Sequence, residues 1–290
     1  PPLRSSAASD VYKRQIMGVS AKEVQELRKM SGAGMMECKS ALNDSSGDVK
    51  EAFKLLREKG IAKAEKKSSR EANEGLIGIK NSKAGASIIE INSETDFVSR
   101  NKEFQELVYK ILDISMDHKG DNKILEDCKD LISDAVGKIG ENIVFKRADY
   151  LDGNIHTYIH NKIDDGLGKI GVLLKLGGSE KDLSDVGKKL CMHIAATSPL
   201  SISEKDLDNT YLETEKEIIE KQLKDSGKPD NIVEKMLQGK INKLFEEVTL
   251  LKQKFVMDQS LSIDGYLKSV SEEVGETISV DKFVRYELGN

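Results

Sequence analysis

The chain has 290 residues, of which 45 are Lys or Arg and 50 are Asp or Glu, giving a formal net charge of −5. This length suits two or three modest domains, and no apolar run approaches the ~20 residues that span a bilayer. The mildly acidic balance argues against dedicated nucleic-acid binding, which needs clustered cations, and 5% aromatic residues without Trp favour a helix-rich architecture over a large ligand cavity.

The first 16 residues differ from everything that follows. They contain two prolines, three serines and three basic residues without an apolar period. Such a composition occurs in organelle transit peptides, but this segment is short and has no amphipathic face. We therefore interpret residues 1–16 as a non-native or readthrough segment that precedes Met17.

Residues 17–60 predict a small helical domain. Ser20 opens a capping box before the first helix, a second helix is predicted over Met35–Leu42, and Asp48 begins a third that ends at Gly60 as its C-cap. Three short helices are marginally stable alone and suit a docking module. Residues 61–73 are predicted to be a solvated helical linker, an interpretation favoured over a basic patch for nucleic acid.

The middle of the chain contains a repeated order of strand, turn, strand and helix, which predicts two α+β subdomains with antiparallel sheets, 74–140 and 141–205. The first repeat comprises the hairpin strands 75–80 and 86–92 and the helices 101–116 and 124–138. The second comprises the strands 143–150, 154–160 and 169–176 and the helix 183–197.

The apolar run Ile88–Asn92 is followed by Ser93–Arg100, in which Phe97 stands where a solvated turn is normally polar. Such an aromatic either packs under its own loop or projects into another protein. Spacing alone leaves these two alternatives about even, although loops on rigid elements are where binding residues collect.

The last part of the chain begins with charged helices. Residues 206–250 predict a protruding antiparallel helical hairpin, or short coiled coil, with its turn at Asp225–Asp230. In 251–290, Ile263–Val274 is predicted to be helical, and Phe255–Met257 and Ile278–Leu288 are predicted to return strands to the second sheet.

The sequence offers weak candidates for catalytic or metal-binding residues. His156 and His160 lie on a period-two strand, where four residues span ~13 Å, too far to share an ion. Cys191 is predicted to be core and His193 incidental, and three distant cysteines indicate a reducing compartment without disulfides. The sequence therefore predicts no catalytic residue, no metal and no cofactor, and a chain that is not an enzyme.

Several motifs in the same order resemble those of the translation elongation factor Ts family. The two longest are Met-Ser-Gly-Ala-Gly-Met-Met-Glu-Cys-Lys-Ser-Ala-Leu at 30–42 and Glu-Ile-Asn-Ser-Glu-Thr-Asp-Phe-Val at 90–98. The others are Lys138–Ile143, Met192–Ala196, Ser226–Pro229 and Phe255–Met257. The resemblance spans Met17 to about Asn290 and implies a UBA-like N-terminal bundle and guanine-nucleotide exchange on elongation factor Tu by protein binding.

The resemblance also implies the residues that would contact that partner. Asp96 and Phe97, flanked by Thr95 and Val98, would intrude beside the nucleotide site, with Phe97 as a wedge near the Mg²⁺. The N-terminal domain and the C-terminal segment would grip the GTPase domain, and a histidine would disturb its phosphate loop. The residues in these roles are Arg28, Met35, Met36, Val256, Met257 and His160. Helical spacing alone predicts that at least one of the two methionines is core.

The rival interpretation is a non-enzymatic interaction scaffold, such as a ribosome- or chaperone-associated adaptor without exchange activity. A metal-dependent hydrolase ranks third, since it needs His156 and His160, or Cys191 and His193, to converge. We expect a 1:1 or 2:2 complex with elongation factor Tu, without direct nucleic-acid or membrane contact. Bacterial cytoplasm is favoured over an organelle matrix.

Overall fold

The computed structural model describes residues 19–121, 123–179, 181–224 and 230–289. These residues combine α-helices with antiparallel sheets, which confirms the predicted α+β class. Residues 1–16, interpreted above as a non-native segment, lie outside the described part of the chain.

The α-helices are α1 (Ala21–Ser31), α2 (Met35–Asp44), α3 (Val49–Lys67), α4 (Lys102–His118), α5 (Lys123–Ile139), α6 (Ser184–Thr197), α7 (Asn209–Lys224), α8 (Asp230–Val248) and α9 (Ile263–Val274). The strands are β1 (Glu74–Ser82), β2 (Gly85–Ser93), β3 (Ile143–Asp152), β4 (Ile155–His160), β5 (Leu167–Gly168), β6 (Ile170–Gly177), β7 (Lys254–Phe255), β8 (Asp258–Ser262) and β9 (Ser279–Glu287).

Helices α1, α2 and α3 form the N-terminal bundle around a small apolar core. Ser20 and Glu23 form the predicted capping box at the start of α1. The predicted C-cap at Gly60 is wrong, because α3 continues to Lys67 through the linker predicted to be helical. Packing accounts for the extension, since α3 lies against α5 and a Cβ built on Gly137 would be 3.6 Å from the Gly60 Cα.

Two antiparallel sheets lie face to face between two layers of helices. The first has the strand order β3-β2-β1-β5 and the second β4-β6-β9. Ile88 on β2 points into the core between the sheets, whereas Ile89 and Ile91 point into the core beneath α4 and α5. Both faces of β2 are covered, and all nine of its residues are therefore buried, the polar ones included.

Two predicted strand assignments are wrong. The repeat in the sequence assigned 143–150 to the second subdomain, but β3 pairs with β2 in the first sheet. The strand predicted at Phe255–Met257 does not join the second sheet, because β7 pairs with β8 in a separate two-stranded ribbon. Strand β9 does join the second sheet beside β6, as predicted. Hydrophobic period identifies a strand but does not select its neighbour.

The charged helices α7 and α8 pack against each other, and the Lys240 side chain donates to Gln222 at 3.3 Å. Most of the turn predicted at 225–230 lies outside the described residues, so the protruding hairpin stays a prediction.

Helix α6 has a notch at Gly187 that holds the ring of His156 from β4. A Cβ built on Gly187 would lie 2.1 Å from the His156 Cγ. We therefore expect Gly187→Ala to lower the free energy of unfolding by about 1–3 kcal/mol, although Ala is the better helix former. Urea unfolding measures this free energy.

Gly239 on α8 is the matched control, since a Cβ there meets nothing within 4 Å. We expect Gly239→Ala to raise the free energy of unfolding by about 0.5–1 kcal/mol through helix propensity alone. Stabilisation of both variants would contradict the assigned His156 packing.

Candidate functional site

The loop that follows β2 carries the most exposed large apolar side chain in the described part of the chain. Phe97 is 80% exposed, and Asp96 beside it is also exposed. The interpretation that Phe97 packs under its own loop is therefore wrong. Val98 is 6% exposed and belongs to the core beneath α4, so its side chain anchors the loop and is not on the surface.

Local hydrogen bonds shape this loop. The Ser93 hydroxyl donates to the Thr95 carbonyl at 3.0 Å, and the Ser99 hydroxyl donates to the Asp96 carbonyl at 2.6 Å. Val98–Arg100 then forms a 3₁₀ turn that leads into α4. A buried central strand and a packed helix thus hold the two ends of the loop and leave Phe97 outside.

Two carboxylates join the loop to the turn between α5 and β3. Glu141 accepts from the Thr95 backbone N–H at 3.0 Å and from the Thr95 hydroxyl at 2.6 Å. In return, Glu94 accepts from the backbone N–H of Asn142 at 2.6 Å. This hydrogen bond, together with the nearby Arg70, lowers the pKa of Glu94 against the opposing effect of desolvation.

The N-terminal bundle presents a second group of predicted contact residues. Met35 and Met36 begin α2 and are 53% and 75% exposed, and Arg28 on the last turn of α1 is exposed. The expectation that one of the two methionines is core is wrong. The core of the bundle is filled instead by the side chains at 24, 27, 38, 41, 42 and 52.

The third group is the turn between β7 and β8. Val256 and Met257 are 42% and 45% exposed, whereas Phe255 before them is buried and stacks on Tyr266 with ring centroids 4.5 Å apart. His193, predicted to be incidental, is fully buried, and its Nδ1 accepts from the Val256 backbone N–H at 3.3 Å. The core therefore fixes the backbone that presents these two side chains.

His193 is a structural histidine. Because Nδ1 accepts a hydrogen bond, the ring hydrogen of the neutral imidazole lies on Nε2, which donates to Gln253 Oε1 at 2.9 Å. Burial lowers the pKa of His193, which favours this neutral form, although the hydrogen bond with Gln253 opposes the shift.

His160 is exposed at the end of β4, with its Nδ1 3.1 Å from the Tyr158 hydroxyl. His156 is half-buried against α6 and desolvation lowers its pKa. Within the described residues no group of three or more His, Cys, Asp or Glu side chains could hold a metal ion. The strand geometry predicted for this pair is confirmed.

The cysteines are unsuited to nucleophilic chemistry. Cys38, Cys128 and Cys191 are free and buried. Burial raises the pKa of the Cys191 thiol, and burial with the nearby Asp127 raises that of Cys128 to about 11. Both thiols therefore stay protonated near neutral pH, and the thiolate is the reactive form. Among the residues that the structure describes, no helix is both long enough and apolar enough to cross a membrane.

Exposed apolar side chains on turns whose backbones are held by hydrogen bonds are typical of surfaces that bind other proteins. The comparisons with known proteins give the family of this chain. A family model described as "Elongation factor TS" matches residues 94–290. Elongation factor Ts of Bartonella henselae is 43% identical over 290 residues, and that of Bartonella tribocorum is 45% identical over 288, each alignment covering 94% of both chains. The chain belongs to the elongation factor Ts family.

The residues that hold the site cannot be recognised from the sequence. Glu141 and Asn142 lie within a motif that carries the family resemblance, but the motif does not reveal their role. Their contacts join positions 46 or more apart in sequence, which no local pattern reveals.

Proposed function

We propose that this chain is a guanine-nucleotide exchange factor that binds elongation factor Tu·GDP and promotes GDP release by placing Asp96 and Phe97 near the Mg²⁺ and nucleotide site. Membership of the elongation factor Ts family implies the exchange role. The observation that carries the wedge is Phe97, 80% exposed on a loop whose backbone is bonded at both ends.

Exchange requires coupling between two binding sites. A bound GDP leaves faster when a partner binds the nucleotide-free GTPase more tightly, and the coupling is reciprocal. A single desolvated aromatic in a pocket can supply about 2 kcal/mol or more of differential binding. In this scheme Phe97 supplies the contact and Asp96 the charge beside it. Thr95 and Val98 hold the backbone, one through Glu141 and the other through the core.

The remaining predicted residues would supply docking. Arg28, Met35 and Met36 on a UBA-like bundle and Val256 and Met257 on the β7–β8 turn would grip the GTPase domain. Their exposure supports this role, since exposed methionines adapt to a partner surface.

His160 would approach the phosphate loop of the GTPase. The complex is proposed to be 1:1 or 2:2 in bacterial cytoplasm, without a cofactor and without direct nucleic-acid or membrane contact. The charged helices α7 and α8 would form a coiled-coil hairpin in this architecture.

The test is the release of a fluorescent GDP analogue from a bacterial elongation factor Tu, followed by stopped flow. We expect the wild-type chain to accelerate release at least tenfold at micromolar concentration, which corresponds to a barrier to release lower by about 1.4 kcal/mol or more. An unchanged release rate, with binding of the GTPase retained, would instead support the scaffold alternative.

A further inference from the structure

The turn Gly140–Asn142 connects α5 to β3 and lies against the loop that carries Phe97. Gly140 has φ +87°, a left-handed conformation that favours glycine, and it sends the chain back toward the first sheet. Both carboxylate oxygens of Glu141 then engage one residue, Thr95, through its backbone N–H and its hydroxyl. Hydrogen bonds to an ionised acceptor are stronger than neutral ones.

The orientation of Phe97 depends on its backbone, because its side chain has little to pack against. After Phe97 the chain is held by the buried Val98 and by the 3₁₀ turn. Before Phe97 the nearest polar contact with another part of the fold is that of Glu141 with Thr95, two residues away, and Glu94 is held one residue earlier by the Asn142 N–H. Loss of the Glu141 contact would leave Thr95 and Asp96 to local hydrogen bonds, because the Glu94 contact lies farther from Phe97.

We propose that Glu141 is a positioning residue that holds the Thr95–Phe97 backbone in one conformation and so orients the Phe97 ring. This role rests on the proposed exchange function and deepens it. A preformed wedge loses less conformational entropy on binding, and therefore keeps more of its contact free energy for displacing the nucleotide.

The same turn is bonded to the linker that follows the N-terminal bundle. The Lys67 ammonium, at the end of α3, donates to the Gly140 carbonyl, and the Asn142 amide donates to the Arg70 carbonyl at 2.8 Å. Arg70 in turn pairs with Glu94 at 3.3 Å. The linker, the loop that carries Phe97 and the turn Gly140–Asn142 thus meet at one cluster of hydrogen bonds. Glu141 therefore lies between the N-terminal bundle and Phe97.

The first experiment measures the loop in the free protein. The chain contains no Trp, so Phe97→Trp introduces a single indole whose time-resolved anisotropy reports nanosecond motion at this position. In the Phe97→Trp background, Glu141→Ala should raise the amplitude of the fast anisotropy decay about twofold. Glu141→Gln in the same background should leave that amplitude unchanged, because an amide can accept from the Thr95 N–H and donate to its hydroxyl. Glu106→Ala, an exposed carboxylate on α4, is the charge-matched control and should leave the anisotropy unchanged.

The second experiment measures GDP release against the concentration of this chain. Glu141→Ala should lower the maximal release rate about tenfold and leave the half-maximal concentration within about twofold, since docking residues lie elsewhere. Glu141→Gln and Glu106→Ala should behave like wild type. In a Phe97→Ala background, Glu141→Ala should have almost no further effect, because the ring that it orients is gone.

The outcomes separate the two proposals. An anisotropy that does not respond to Glu141→Ala overturns the positioning role, and so does a wild-type release rate in that variant. Additive effects of Glu141→Ala and Phe97→Ala also overturn it. If the wild-type chain itself fails to accelerate release, the proposed function fails and this role with it, whatever the anisotropy shows.

Discussion

The Phe97→Ala variant is expected to lose most of its acceleration of GDP release while keeping the wild-type fold. The ring is 80% exposed, so its removal takes little from the core. An aromatic anchor at the centre of an interface typically contributes about 2 kcal/mol or more, which corresponds to a release rate roughly thirtyfold lower. Stopped-flow release with saturating protein measures the rate, and urea unfolding checks the fold.

Leu200→Ala is the matched control for this prediction. Leu200 is 58% exposed but lies outside the three groups of proposed contact residues. Its removal should change the release rate by no more than about twofold and the free energy of unfolding by no more than about 0.5 kcal/mol. Equal release by the Phe97→Ala variant and the wild-type chain would eliminate the wedge and leave the exchange role without its proposed cause.

The Arg147→Met variant is expected to lose about 2 kcal/mol or more of unfolding free energy, because it removes the closest donor to a fully buried carboxylate, although the Lys146 ammonium stays 3.5 Å from it. Glu90 on β2 is completely buried and accepts from Arg147 Nε at 2.7 Å. The Arg147 guanidinium also lies 4.2 Å from the ring centroid of Tyr286 on β9. One side chain thus bridges β3, β2 and the strand that completes the second sheet. Urea unfolding at neutral pH measures the loss.

Arg57→Met removes a guanidinium from an exposed ion pair and is the control. Arg57 and its partner Asp130 have side chains 47% and 72% exposed, so water and salt screen their attraction. Such pairs contribute about 1 kcal/mol or less. A similar loss in the Arg57→Met and Arg147→Met variants would show that burial of Glu90 does not amplify the interaction.

The elements formed by local signals were predicted closely. The helix predicted over Ile263–Val274 has those bounds, and the capping box at Ser20 begins α1. The hairpin predicted over 75–92 occupies 74–93. Capping, turn chemistry and side-chain period act within a few residues, so they can be recognised in the sequence alone.

The predictions that were wrong depend on contacts between segments that are distant in sequence. Gly60 is a residue type that often ends a helix, yet α3 continues beyond it to Lys67 because α3 packs against α5. Strand β3 has the same apolar pattern whichever strand it joins, and only the assembled sheet pairs it with β2. Met35 and Met36 have the spacing of core residues but lie outside, because Cys38, Ala41 and Leu42 already fill the bundle.

The sequence by itself determined the α+β class, most elements and the loop that carries Phe97, because each depends on neighbouring residues or on motifs read in order. Tertiary structure decided whether that phenylalanine is inside or outside and what holds its loop. Glu141 reaches Thr95 across 46 positions, and His193 reaches Val256 across 63. Such hydrogen bonds exist only once the sheets and helices have packed, since folding alone brings their atoms within reach.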